Sequence, residues 1–289
     1  MGIIRHLEAK AAPTSGTSLV LALELCHSHL ISIIHLNFKT MAEQKGILKL
    51  EGTMGGITFY KKDGVYLAKE KSAVSPDKIA NDPNYERTRE NNAEFGAAGT
   101  AGKMLRDALR SLMLDASDTY VTSRVTQLMM NELKLDTNSA RGSRQPSIGL
   151  ALDAGKALLN GFNFNANSVL SGVLFKAFSI DNATGVITIN DLVPKKDIAY
   201  PNGATHLSIT GAMANIDLAN GVSDLKITNV QNLTIDLNVN QVVLTPTALP
   251  AGNGIKLYLL KIEFFQMMNN VQYPLRNGSY NSLAIVNVA

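Results

Sequence analysis

No tryptophan occurs in this chain, and its one cysteine, Cys26, has no partner for a disulfide. A disulfide framework is therefore excluded. Of five histidines, His6, His27, His29 and His35 precede Met41, and only His206 follows it. A structural zinc site wants four Cys/His ligands, and no such set exists downstream of residue 40. A cysteine nucleophile is missing from the same stretch, and a Ser–His pair could draw only on His206. Charge is sparse too, at 18% of residues with a formal net of +3. That is not the footprint of a dedicated nucleic-acid binder.

Uninterrupted apolar sequence is also lacking. A membrane span needs about 20 nearly uncharged residues. The apolar stretch Leu19–Phe38 is broken by Glu24, His27, His29 and His35. Residues 1–40 differ in texture from the rest, and Met41-Ala42-Glu43-Gln44-Lys45-Gly46 reads as an ordinary cytosolic start. The expectation is that 1–40 is a non-native or signal-like extension and that the folded chain is cytoplasmic. Arg5 and Lys10 ahead of the apolar run supply the alternative, a signal peptide, which would place the protein outside the cell. Assembly into a particle is a further destination.

What is present is a substantial apolar fraction, 45% over 289 residues, enough to build a sizeable core. Ile57-Thr58-Phe59-Tyr60 and Val65-Tyr66-Leu67 flank Lys62-Asp63-Gly64, and Asp-Gly is a strong hairpin turn signal. Around it Lys45, Lys49, Lys61, Lys62, Lys69 and Lys71 read as solvated faces and edge protection. Asp82-Pro83 then opens a long helix, with Asp82 as cap and Pro83 at the first helical position. Phe95, Ala98, Gly102, Leu105, Leu109 and Leu112 recur at helical spacing and predict its buried stripe. Gly96, Gly99 and Gly102 each cost that helix about 1 kcal/mol against alanine. Close approach of another backbone, from the same chain or a second copy, is their expected compensation. Asp115-Ala116-Ser117-Asp118 breaks the pattern, and a second helix follows from Thr119 to Leu135 with stripe Val121, Val125, Leu128, Met129 and Leu133. A polar loop carrying Arg141 and Arg144 follows, and Asp153–Asn160 reads as a short helix closed by Gly161.

From Phe162 onward the pattern becomes short apolar runs between turn clusters. Predicted strands include Val169–Phe178, Val186–Asn190, Thr205–Ala212, Ile216–Leu218, Leu225–Asn229, Leu233–Leu237, Gln241–Leu244, Ile255–Gln266 and Leu283–Val288. Their spacing implies an antiparallel sandwich or barrel. The expected architecture is α+β: an N-terminal β-hairpin and antiparallel helix pair, 41–150, followed by a β-sandwich, 151–289.

The pattern Gly52-Thr53…Gly56-Ile57-Thr58-Phe59-Tyr60, then Arg87-Thr88-Arg89-Glu90-Asn91…Glu94-Phe95-Gly96, resembles a family of uncharacterised bacterial proteins. So does the ending Glu263-Phe264-Phe265-Gln266…Tyr273-Pro274-Leu275…Asn277-Gly278-Ser279-Tyr280. The resemblance covers 46–289 and transfers no activity and no site residues.

No catalytic, cofactor-binding or metal-binding residues are assigned. The scattered carboxylates form no glycosidase dyad and no calcium loop. His206 and Glu263 would need a cleft joining them to a serine or second carboxylate to make an enzyme. Sugar binding, a common role of β-sandwiches, draws on exposed aromatic platforms, which 6% aromatics make scarce. The expectation is a non-enzymatic structural or assembly protein whose partner is protein, including copies of itself, with Gly96, Gly99 and Gly102 as close-packing positions. The alternative is a nucleic-acid-associated protein using Lys61, Lys62, Arg87, Arg89, Lys103, Arg106, Arg110, Arg141 and Arg144 as a polyanion contact; Glu86, Glu90 and Asp107 dilute that set.

Overall fold

The structure, a computed structural model, describes residues 42–71, 74–275 and 279–289. The expectation for 1–40 lies outside the described residues, as do Asn277 and Gly278 of the ending quoted above. Among those described, no helix is long and apolar enough to cross a membrane. The chain is a mixed α+β protein with antiparallel sheets. It divides into two compact units between Ser75 and Pro76, whereas the sequence pattern suggested a division near residue 150.

The first unit holds strands β1 (Ala42–Glu43), β2 (Gly52–Met54), β3 (Ile57–Lys62) and β4 (Val65–Glu70), ordered β1-β4-β3-β2. Asp63 and Gly64 both take positive φ, 51° and 84°, as a two-residue turn matched to strand twist requires. Lys61 lies opposite Tyr66, its ammonium 5.0 Å from the ring centre.

The second unit begins with α1 (Pro76–Asn81) and a 3-10 turn, Pro83–Tyr85. Asp82 caps that turn by accepting the Asn84 N–H at 2.9 Å. Then come α2 (Glu86–Ala108), α3 (Arg110–Met113), α4 (Val121–Lys134), α5 (Pro146–Leu150) and α6 (Asp153–Leu159). The long helix runs unbroken through Gly99 and bends at Leu109, where φ is −101° and ψ 10°. Its buried stripe is Glu94, Ala98, Ala101, Gly102 and Leu105; Phe95 lies outside it, 61% exposed. Ala98, Gly102, Leu105, Leu109 and Leu112 are buried as the spacing predicts; only Phe95 fails, its place taken by Glu94, the polar residue apolar periodicity passes over, whose partners lie inward. The α4 stripe is buried as the spacing indicates.

The β-rich part contains β5 (Ser179–Ile180), β6 (Ile187–Leu192), β7 (His206–Asp217), β8 (Val222–Thr234), β9 (Asn240–Leu244), β10 (Ile255–Met268), β11 (Val271–Pro274) and β12 (Ser282–Val288). Instead of a strand over Val169–Phe178 there is a helical turn, α7 (Leu170–Val173); another, α8 (Pro194–Asp197), follows β6. The predicted pairs 205–212/216–218 and 225–229/233–237 each merge into one long strand, β7 and β8. β7 is buried along nearly its whole length, whereas β8 is the largely exposed edge strand beside it.

A five-stranded sheet runs β11-β10-β7-β8 with β12 also paired to β10; a second sheet runs β5-β6-β9. One core joins helices to sheet: Ala98, Leu105, Leu109, Val125 and Met129 cluster with Ala212, Ala214, Ile216, Leu257, Leu259, Leu283 and Ile285. A second core gathers Leu207, Ile209, Leu260, Ile262 and Phe264 from the large sheet with Ile187, Ile189, Leu192, Val242 and Leu244 from the small one. Helices and large sheet thus share buried residues, and for that reason contacts do not divide near 150. Outer edges are covered locally. Gly161 and Phe164 donate to the Ile285 and Leu283 carbonyls, and Ile285 donates back to Phe162. Thr247 donates to the Ile227 carbonyl.

Candidate functional site

The three helix glycines differ in surroundings. A Cβ at Gly102 would stand 3.3 Å from Val125 Cγ1, so this glycine lets α2 and α4 approach. A Cβ at Gly96 or Gly99 would meet nothing within 4 Å. With Phe95 they lie on the outer face of α2, and no contact within the described chain explains them.

Most of the basic residues named above are engaged locally. Arg87 pairs with Glu90 at 2.9 Å and Lys103 with Asp107 at 2.6 Å. Arg89 donates to the Ile79 and Asp82 carbonyls at 2.8 and 3.0 Å. Arg141 pairs with Glu90 at 3.2 Å. Arg144 bonds both oxygens of Glu94, which also accepts the Gly142 N–H at 2.7 Å. Arg110 is exposed and Arg106 half-buried, with its Nε unpartnered among the described residues. Lys61 and Lys62 belong to the other compact unit. In the loop after α4, Asp136 is held down to a pKa of about 2, first by the Ser139 side chain and then by backbone amides of Ser139, Gln145 and Asn138.

Sequence spacing missed Glu132. It is fully buried on α4, and neither carboxyl oxygen has a hydrogen-bond partner among the described residues. Desolvation pushes its pKa up to about 8. Its side chain fills the space that Gly155 leaves by lacking a Cβ, and Gly149 packs directly on its backbone carbonyl.

The other polar concentration lies on the large sheet. Side chains alternate along a strand, so residues two apart share a face. Leu257 and Leu259 of β10 face the helices, and Lys261, Glu263 and Phe265 continue that face beyond them. On β7, Ala212, Ala214 and Ile216 are followed in the other direction by Thr210, Ser208 and His206. Register places Ser208 opposite Glu263 and Asn232, and Thr210 opposite Lys261 and Val230. Lys261, 6% exposed, holds its ammonium 3.0 Å from Glu263 Oε1 and 3.7 Å from Asp115 Oδ2. The structure thus brings His206, Glu263, a serine and a second carboxylate to one face. They are not wired as a triad: the His206 nitrogens lie 3.0 Å from Thr205 Oγ1 and 3.4 Å from Thr234 Oγ1.

A single side-chain hydrogen bond spans this end of the face. Asn232 Nδ2 on β8 donates to Gln272 Oε1 on β11 at 2.9 Å. Three strand spacings, about 14 Å in a flat sheet, separate those strands. The sheet must therefore coil until the β10–β11 hairpin and β8 meet over the face. A bulge supplies part of the coil: Thr228 and Asn229 lie together opposite the single Gly211. Asn269 and Asn270, at φ 51° and 63°, make the tight turn that closes the hairpin.

Comparisons with protein-family models, curated proteins and solved structures found no match.

Proposed function

We propose that this chain is a non-enzymatic assembly protein that associates with copies of itself through the outer face of α2. The observation that carries it is Phe95, 61% exposed, beside Gly96 and Gly99, where an added Cβ would meet nothing within 4 Å among the described residues beyond its own stretch of helix. Two glycines in a helix interior destabilise it by about 1 kcal/mol each, and among the described residues nothing packs on them to offset that cost. A second helix packed against this face would offset it by close backbone contact, with Phe95 burying apolar area. The architecture that goes with this reading is an antiparallel helix pair on a β-sandwich, supported by the two cores on opposite faces of the large sheet.

Light scattering from micromolar to near-millimolar concentration tests it. The expected result is a mass that rises with concentration and returns to the monomer value in Gly96→Leu/Gly99→Leu. Leucine favours helix at these open sites, so loss of association would not come from unfolding. A wild-type protein that stays monomeric throughout would overturn the proposal.

A further inference from the structure

Glu132 sits where α4, α5 and α6 meet. It is fully buried, and both carboxyl oxygens lack a hydrogen-bond partner among the described residues. A Cβ on Gly155 of α6 would stand 2.4 Å from Glu132 Oε2 and 2.3 Å from the Gly149 carbonyl of α5, so the two short helices close directly on this carboxyl. The charged groups on the surrounding elements give it no counter-charge. Glu94 of α2 is bonded to Arg144, and Asp136, just beyond α4, to the amides of Asn138, Ser139 and Gln145. Lys134 of α4 is exposed, and α5 carries no charge. On α6, Asp153 is exposed and Lys156 lines a groove with Asp217. A carboxylate buried with neither hydrogen bond nor cation is heavily penalised.

The segment over Glu132 is loosely tied. Among the described residues, no hydrogen bond or ion pair joins 146–160 to any residue outside 145–162. Its two ends are fixed: Gln145 N–H donates to Asp136 Oδ2 at 3.1 Å, and Gly161 N–H to the Ile285 carbonyl at 2.8 Å. Between those anchors packing alone holds it, chiefly through Pro146, Leu150 and Leu159. Hydrating the carboxyl therefore needs only this segment to move, while α4 and the large sheet stay in place. We propose that residues 146–160 are a pH-gated lid: when Glu132 loses its proton, α5 and α6 swing off α4 between their two anchors and admit water to the carboxylate. Protonation lets Gly149 and Gly155 close on it again.

Hydrogen exchange on the full chain, followed by mass spectrometry across neutral and mildly alkaline pH and corrected for base-catalysed intrinsic exchange, tests this. With the lid open the carboxyl regains its ordinary pKa of 4.5; with it closed, burial holds the value at about 8. The closed state keeps the proton more tightly, so rising pH favours opening between those values and has no further effect above them. The opening constant of amides 146–160 should therefore rise about tenfold per pH unit up to about pH 8 and then level off, with amides 207–216 unchanged. In Glu132→Gln the lid amides should keep the low-pH opening constant throughout. The Glu132 carboxyl carbon of the unaltered protein, followed by NMR, should titrate near pH 8, a reading that needs no variant. Titration of that carbon below pH 5 would overturn the proposal. So would a flat opening constant, a rise that Glu132→Gln retains, or an equal rise at 207–216, which would mean global unfolding.

Discussion

Arg144 meets Glu94 side by side, Nε on Oε1 and Nη2 on Oε2, both at 2.7 Å. The pair fastens the loop after α4 to the buried stripe of α2. Arg144→Ala would leave the carboxylate, 3% exposed, with only the Gly142 amide. The expected cost is about 2–4 kcal/mol, read from urea unfolding at neutral pH. The Arg144 bond holds the Glu94 pKa below its ordinary value of 4.5. Stability from the pair is therefore present above pH 4.5 and is lost as pH falls through the lower folded value. Glu94→Gln should flatten that acid limb of the stability curve.

Glu132 acts with the opposite sign. Its folded pKa is raised from 4.5 to about 8, so the folded state holds this proton more tightly than the unfolded one. Its contribution is most favourable below pH 4.5, declines as pH rises to about 8, and is flat beyond. Glu132→Gln should raise stability at pH 8 by about 1–3 kcal/mol and show little gain at pH 4. Paired melts at those pH values check it; equal gains at both would reject the assignment.

The helix glycines should separate by environment. At concentrations low enough to keep the protein monomeric, Gly96→Ala and Gly99→Ala should each stabilise it by about 0.5–1 kcal/mol. Gly102→Leu should destabilise by about 1–3 kcal/mol, because its side chain would enter the space of Val125 and Met129. Thermal unfolding of the three variants gives the order.

The hairpin over the polar face should be held partly by its bond to β8. Gln272→Ala removes the acceptor for Asn232. Hydrogen exchange of amides 265–274 should then accelerate severalfold, with little change in 207–216. Unaltered exchange in both segments would show that backbone pairing alone holds the hairpin.

The sequence made some of these features visible and hid others for definite reasons. Asp63-Gly64 could be read directly, because few residue pairs accept two positive φ angles. The α4 stripe could be read because its inward residues are all apolar. The α2 stripe was read correctly from Ala98 onward and missed only at its start, where Glu94 rather than Phe95 is buried, through Arg144 fifty positions away. Val169–Phe178 has strand composition, but Leu170–Val173 forms a helical turn buried against the second core. His206 and Glu263 were recognised singly. Their common face depends on the β7–β10 register, which no local pattern encodes. Glu132 gave no signal either, since helical periodicity treats a lone glutamate among apolar residues as surface.

The pairing of β12 with residues 161–164 has a consequence in time. Leu283 and Ile285 close the floor beneath α2 and α4, and their carbonyls receive the amides of Phe164 and Gly161. As the chain is synthesised, the helices emerge well before that floor exists. Until β12 clears the ribosome, Leu105, Leu109 and Val125 cannot bury against it, and the β10 edge destined for β12 is unpaired. Newly made protein should pass through a stage vulnerable to aggregation, ending when β12 is in place.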